Sequence, residues 1–247
     1  MQGTMRTKLI NNLLALALIG ATVGAAPPAA QSGDFRWRGA VAEGNTVEIR
    51  GVNGSVRALA SEDGLIHVEA TRRAGRSDAE SVRIEVVEHE EGVTVCAVYP
   101  SPPDAARENE CRPGGGSNNV RDNDVEVDFL VRVPAGGRFA GNTVNGNIEV
   151  ERLRSDVRAA TVNGRVSVQT TGFVSRAATV NGDIELAMPA GLNAEFHAST
   201  VNGSIDSDFP IVVTGRFGPR TARGTIGQGG RELRVSTVNG SIRLRRN

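Results

Sequence analysis

From about residue 138 to the end, hydrophobic and polar residues alternate in short runs, and each pair of runs is split by the words Thr-Val-Asn-Gly-x-Ile/Val. Take the Asn as position zero. Positions −6, −4 and −2 then read Phe139, Gly141, Thr143 in one copy and Val157, Ala159, Thr161 in the next. Later copies give Phe196, Ala198, Thr200 and Leu233, Val235, Thr237. Beyond the Asn-Gly pair, positions +3 and +5 are Ile148 and Val150, Val166 and Val168, Ile184 and Leu186, Ile242 and Leu244. The residues between are mostly polar: Arg158, His197 and Arg234 before the pair, Glu149, Ser167, Glu185 and Arg243 after it. Period-two alternation on both sides of a turn dipeptide predicts half-buried β-strands.

The pairs stand at Asn145-Gly146, Asn163-Gly164, Asn181-Gly182, Asn202-Gly203 and Asn239-Gly240, and a partial copy stands early, at Asn53-Gly54. The steps between the five later Asn residues are 18, 18, 21 and 37. A fixed period of this size marks a repeat architecture. The long last step reads as two periods, with a degenerate copy in the Gly-rich stretch 223–230. Asn-Gly suits a type I′ turn, in which both central residues take φ > 0. Two arrangements fit an all-β chain. In one, repeats of roughly 18–21 residues stack as a β-solenoid, with like residues forming ladders about 4.8 Å apart. In the other, each repeat is an antiparallel hairpin of a sandwich. The near-identity of the repeated words favours the solenoid. In that arrangement Arg158, Arg165, Arg176 and Asp183 share the presented face, and Arg243, Arg245 and Arg246 cap the open end.

The first residues are of another kind. Arg6 and Lys8 precede an apolar run, Leu9 to Val23, followed by Gly24, Ala25 and Ala26. This is the layout of a secretory signal peptide over residues 1–26, with cleavage expected after Ala25 or, as the alternative, near Ala30, and the run is short for a membrane span. The mature chain is therefore not an integral membrane protein. Residues 27–33 read as a linker and 34–247 as one β-repeat domain, irregular over 34–133 and regular over 134–247. In the irregular part, strands are predicted at 45–50, 65–70, 82–87, 93–98 and 125–133, with turns at Asp63-Gly64 and Glu91-Gly92. Residues 100–124, rich in Pro, Gly and Asn, form a loop. Helix is nearly absent.

The chain holds 28 basic and 28 acidic residues, and loss of Arg6 and Lys8 leaves the mature part at 26 against 28. A near-neutral chain with interspersed charges argues against nucleic acid as a partner. Two cysteines, Cys96 and Cys111, in an exported chain are expected to form a disulfide that ties down this loop. The three histidines, His67, His89 and His197, have no metal-ligand spacing and read as surface residues. Asp122, Asp124, Glu126 and Asp128 alternate, so on a strand they would share one face, a candidate for Ca²⁺; the simpler reading is an amphipathic strand with Val125, Val127 and Phe129 buried. No nucleophile elbow, P-loop or dinucleotide fingerprint is present. No catalytic residue, cofactor or metal is expected.

The Thr-Val-Asn-Gly-x-Ile units, the Val133-Pro134-Ala135-Gly136 turn and the 231–244 ending together resemble a bacterial family of exported β-strand-repeat domains. That family is described as adhesins and otherwise as a domain of unknown function. The resemblance implies an all-β, solenoid-like domain with a role in the cell envelope or at the surface, and it brings no catalytic residues. The expectation is an exported, non-catalytic, adhesin-like binding protein, periplasmic, surface-bound or extracellular, whose ligand is a protein or polysaccharide. The alternative is a periplasmic structural module that self-associates. A polysaccharide-active enzyme would need clustered carboxylates, whereas Glu149, Glu151, Asp183, Glu185 and Asp206 are scattered.

Overall fold

The alternation of Val, Ile and Leu with polar residues does form strands, and they lie in two facing sheets of nine and ten strands. The computed structural model describes residues 31–214 and 219–247. The expected signal segment lies outside them. The first strand, β1 (Gln31–Gly39), opens inside the segment read as a linker.

Seven parallel rungs build the stack, each with one strand in either sheet. Six of them cross at an Asn-Gly corner. They pair β2 (Thr46–Arg50) with β3 (Val56–Ala60), β8 (Arg138–Asn142) with β9 (Ile148–Leu153), and β10 (Asp156–Ala160) with β11 (Val166–Thr170). The next three pair β12 (Val174–Ala178) with β13 (Ile184–Met188), β18 (Glu232–Ser236) with β19 (Ile242–Arg246), and β14 (Ala194–Thr200) with β15 (Ile205–Ser207). The seventh, β6 (Gly92–Val98) and β7 (Glu126–Val133), stacks in parallel on β2 and β3. Antiparallel strands finish both ends. β5 (Arg83–His89) pairs with β6, and β4 (Ile66–Ala74) joins β7 to β1. At the other end β17 (Arg220–Ile226) lies on β14, and β16 (Val212–Thr214) on β17. A single turn of 3₁₀ helix at Ala79–Ser81 is the helical structure among the described residues.

The inward positions are those the alternation marks. Phe139, Ile148, Val157, Val166, Ile184, Phe196, Leu233, Ile242 and Leu244 are all at most 1% exposed and belong to one core between the sheets. Stacked rungs bury in common what no single 18-residue unit could bury alone. The antiparallel hairpin arrangement is excluded, because the repeats pair in parallel and in register, as in Val166↔Ile184 and Ala159↔Gly141.

Two expectations fail here. The long step from Asn202 to Asn239 hides no degenerate copy. β16 and β17 form an antiparallel pair, and the last rung, β18–β19, then inserts between the rungs of Asn181 and Asn202. The reason is local: β17 takes the outer edge of β14, so the inner edge of β14 is left for β18. The C-terminal arginines consequently do not cap an open end. β19 lies between β13 and β15. Where the short β15 stops, Asp208 completes the edge, accepting from the Arg246 N–H at 3.2 Å and pairing with Arg245 at 3.1 Å.

Candidate functional site

The repeated words build a continuous corner. Each corner Asn donates its side-chain amide to the Oδ1 of the Asn on the preceding rung. Asn145 donates to Asn53 at 2.8 Å; Asn163 to Asn145, Asn181 to Asn163, Asn239 to Asn181 and Asn202 to Asn239 do so at 2.7 Å each. Beside this ladder runs a second one, in which each Thr hydroxyl donates to the Gly carbonyl of the preceding rung. Thr143 bonds Gly54 at 3.0 Å, Thr161 bonds Gly146, Thr179 bonds Gly164 and Thr237 bonds Gly182 at 2.9 Å, and Thr200 bonds Gly240 at 2.8 Å. The threonines are buried, so a donor without this acceptor would cost about 1–3 kcal/mol each. Between the ladders, Val144, Val162, Val180, Val238 and Val201 form a ridge, each 37–40% exposed.

The corner is not a type I′ turn. No corner Asn has a positive φ, and among the corner glycines only Gly54 and Gly240 do. The chain does not reverse here; it passes from one sheet to the other. Gly is needed for a different reason. A Cβ on Gly164 would lie 2.1 Å from the Gly146 carbonyl oxygen, and one on Gly182 2.0 Å from that of Gly164. Rungs stacked at strand spacing leave no room for a side chain at that point.

Cys96 and Cys111 form a disulfide across a Cα separation of 5.7 Å. It ties the loop to the outer side of β6, where Cys96, Val98 and Cys111 pack with Val87, whereas Tyr99 faces the core and donates its buried hydroxyl to the Val125 carbonyl at 2.6 Å. Burial pushes the Tyr99 phenol up to about 12. The loop beyond Cys111 overhangs a cleft of about 440 Å³ lined by Glu48, His89, Pro113, Arg138, Arg158 and Arg231. Glu48 is 9% exposed and fully engaged, accepting from Arg50, Thr94, the Gly114 N–H and Asn142. Asp156 pairs with Arg231 at 2.6 Å. Its partial burial alone would raise its pKa, but the bonds from Arg231 and the Phe173 N–H outweigh that and hold it below the usual carboxylate range.

The remaining candidates separate. Arg158 and Arg176 project from the ten-stranded sheet, whereas Arg165 and Asp183 sit two residues past a corner Asn, so the four do not share one face. The acidic run does not share one either. Glu126 and Asp128 are on β7, but Asp122 and Asp124 precede it. Asp124 accepts from the Arg76 and Ser77 N–H groups at 2.9 Å each, and Asp128 from the Ser55 N–H and Arg73. These carboxylates are spent on protein donors, and no group of three or more metal-ligating side chains occurs among the described residues. His67 bonds Asp63, and that contact holds the Asp63 carboxyl well below its ordinary range. His89 meets Thr94 Oγ1 at 3.2 Å, and exposed His197 lies 3.9 Å from Glu232.

Position −5 of the repeat is the feature that the sequence reading passed over. Parallel register sets Arg158 beside Arg176, Arg176 beside Arg234 and Arg234 beside His197, and the antiparallel partner adds Arg223. The outer face of the other sheet differs: there Arg57, Glu149, Ser167, Glu185, Arg243 and Asp206 follow one another, with opposite signs adjacent. The signal for the basic row was present in the repeat, since four of the six −5 residues are Arg158, Arg176, His197 and Arg234, the other two being Glu48 and Ala140. Only the stacking turns them into neighbours.

Comparison with known proteins agrees with this architecture. Residues 142–245 match the family model described as Toastrack DUF4097, and the resemblance read from the repeats is borne out over that span. A solved structure of a candidate cell adhesion protein from Clostridium sporogenes ATCC 15579 shares the fold, at 12% identity and a TM-score of 0.59. That match covers 87% of this chain and 100% of that one. A candidate adhesin from Bacteroides fragilis NCTC 9343, also 12% identical, covers 86% of this chain and 97% of its own, but its TM-score of 0.35 gives it no weight. No curated protein sequence matches the chain.

Proposed function

We propose that this is an exported, non-catalytic, adhesin-like binding protein of the bacterial cell envelope, which holds its ligand on the outer surface of a ladder-locked stack. The observation that carries the reading is the division of labour in the repeat. Inward Val, Ile and Leu, together with the Asn, Thr and Gly of the corner, hold the scaffold, and position −5 is free to carry binding chemistry. The disulfide fits an oxidising compartment. Likeness to a candidate cell adhesion protein supports the same class. Self-assembly is the weaker reading, because three of the four sheet edges are blunted: β15 and β16 have three residues each, and β5 carries Arg83, Glu85, Glu88 and His89, which leaves β1 as the one long edge. The test compares attachment of producing cells, cells lacking the gene and complemented cells to glycan- and protein-coated surfaces. Attachment should fall on loss of the gene and return on complementation. Equal attachment by all three overturns the proposal.

A further inference from the structure

Five consecutive strands of the ten-stranded sheet carry Arg223, His197, Arg234, Arg176 and Arg158 at one register, all exposed. Four strand spacings make this row about 19 Å long. Like charges directly opposite on neighbouring strands destabilise a sheet. The Arg158–Arg176 and Arg176–Arg234 neighbours therefore work against the fold, while the other sheet places opposite signs side by side. Arg158 and Arg176 form no ion pair with any described residue. Arg234 and His197 share Glu232, at 2.6 and 3.9 Å.

The surroundings narrow the ligand. On one side of the row lie small residues, Ser199, Ser236, Ala178 and Ala160, and a groove of about 420 Å³ runs along Arg176, His197, Arg223 and Arg234 with Ser199 and Ser236 in its wall. On the other side lie the carboxylates Glu195, Glu232 and Asp156. A strip of cations one residue wide, bordered by carboxylates, repels a broad anionic surface such as a membrane or a duplex. No aromatic ring stands in the row for stacking a base, as single-stranded nucleic acid sites provide. The overhung cleft at Arg158 and Arg138 continues the strip towards the disulfide loop.

We infer that the row Arg223–His197–Arg234–Arg176–Arg158 is a binding site for a linear acidic polysaccharide, laid across the strands with its anionic groups over the guanidiniums and its hydroxyls toward the serine side. This rests on the binding-protein reading above and names its site and ligand class. Carboxylated and sulfated glycans share the chemistry.

The purified mature protein is assayed by affinity electrophoresis and biolayer interferometry against polygalacturonate, chondroitin sulfate, neutral dextran, duplex DNA and anionic lipid vesicles. The Arg158→Glu/Arg176→Glu variant should lose at least tenfold in affinity for an acidic glycan. Arg165→Ala, at the corner, should bind as the parent does. Added salt should weaken binding, because exposed charges are screened. Polygalacturonate and chondroitin sulfate separate a carboxylate from a sulfate preference, and binding of either supports the inference. The double variant should melt close to the parent, since both side chains are exposed and neither forms an ion pair with a described residue, so lost binding cannot be ascribed to unfolding. The inference is overturned if neither acidic glycan binds, if the double variant binds undiminished, or if DNA or vesicles bind as tightly through the same row. Binding of dextran that ignores the row would overturn the inference and leave the binding-protein reading standing.

Discussion

Asn239 donates its side-chain amide to the Oδ1 of Asn181 at 2.7 Å, across 58 residues of sequence. That bond places the last rung inside the stack, between rungs that precede it in the chain, and it makes the C-terminal segment a structural keystone. Deleting residues 231–247 removes β18 and β19, and with them the parallel partners of β12, β13, β14 and β15. We expect this truncation to abolish cooperative unfolding or lower the melting temperature by more than 15 °C, although only the final segment is lost. Calorimetry of the truncated protein checks it; a small shift would mean that the rungs are independent.

The corner glycines predict a steep substitution series. Gly182→Val places a branched side chain where a Cβ alone would be 2.0 Å from the Gly164 carbonyl oxygen. The rungs must part, at a cost of about 3 kcal/mol or more. Urea unfolding of the variant measures it. An unchanged midpoint would contradict the stacking distance at the corner.

The asparagine ladder predicts a smaller effect. Asn181→Ala removes one bond given and one received, but the corner is exposed and water replaces part of both. A loss of about 1–2 kcal/mol is expected, against less for Asn53→Ala, which ends the ladder and takes part in one such bond. Equal losses at the two positions would show that ladder continuity contributes nothing.

Acid should loosen the segment that Asp124 holds. Hydrogen bonds from the Ser77 and Arg76 N–H groups hold the Asp124 carboxyl down to about 2. Its folded pKa lies below that of the unfolded chain, so the stabilisation is complete above about pH 4. It is lost as the pH falls toward 2. Protection of the Ser77 and Arg76 amides, measured relative to their intrinsic exchange rates, should fall through that window, and Asp124→Asn should remove that fall. Protection that stays constant through the window in the parent would refute the assignment.

Reduction of Cys96–Cys111 frees a loop of about 15 residues and should cost about 3 kcal/mol in the chain-entropy account. Melting with and without reductant measures it; an unchanged midpoint would refute the stabilising role.

The sequence made the rung itself legible. The positions of Phe139, Val157, Ile184 and Leu244 follow from period two, and the identical words around Asn145, Asn163 and Asn181 imply stacking in register. The order of rungs was not legible, because Asn202 and Asn239 carry the same signature and only the β14–β17 pairing decides which of them lies next to Asn181. The role of the corner Gly was misread for a related reason. A turn preference and a clash with a neighbouring rung both select Gly, and only the stacked backbone distinguishes them. The basic row follows the same logic: Arg158, Arg176 and Arg234 are far apart in the chain and become one surface through parallel pairing.

The central proposal is that this stack is exported and binds its ligand at the cell surface. Intact producing cells are treated with protease, alongside fractionation of cells and medium and a thiol assay of Cys96 and Cys111. The account predicts oxidised protein that is digested while the cells remain intact. Protein that stays protected until the envelope is opened, or that fractionates with the cytosol carrying free thiols, would contradict it.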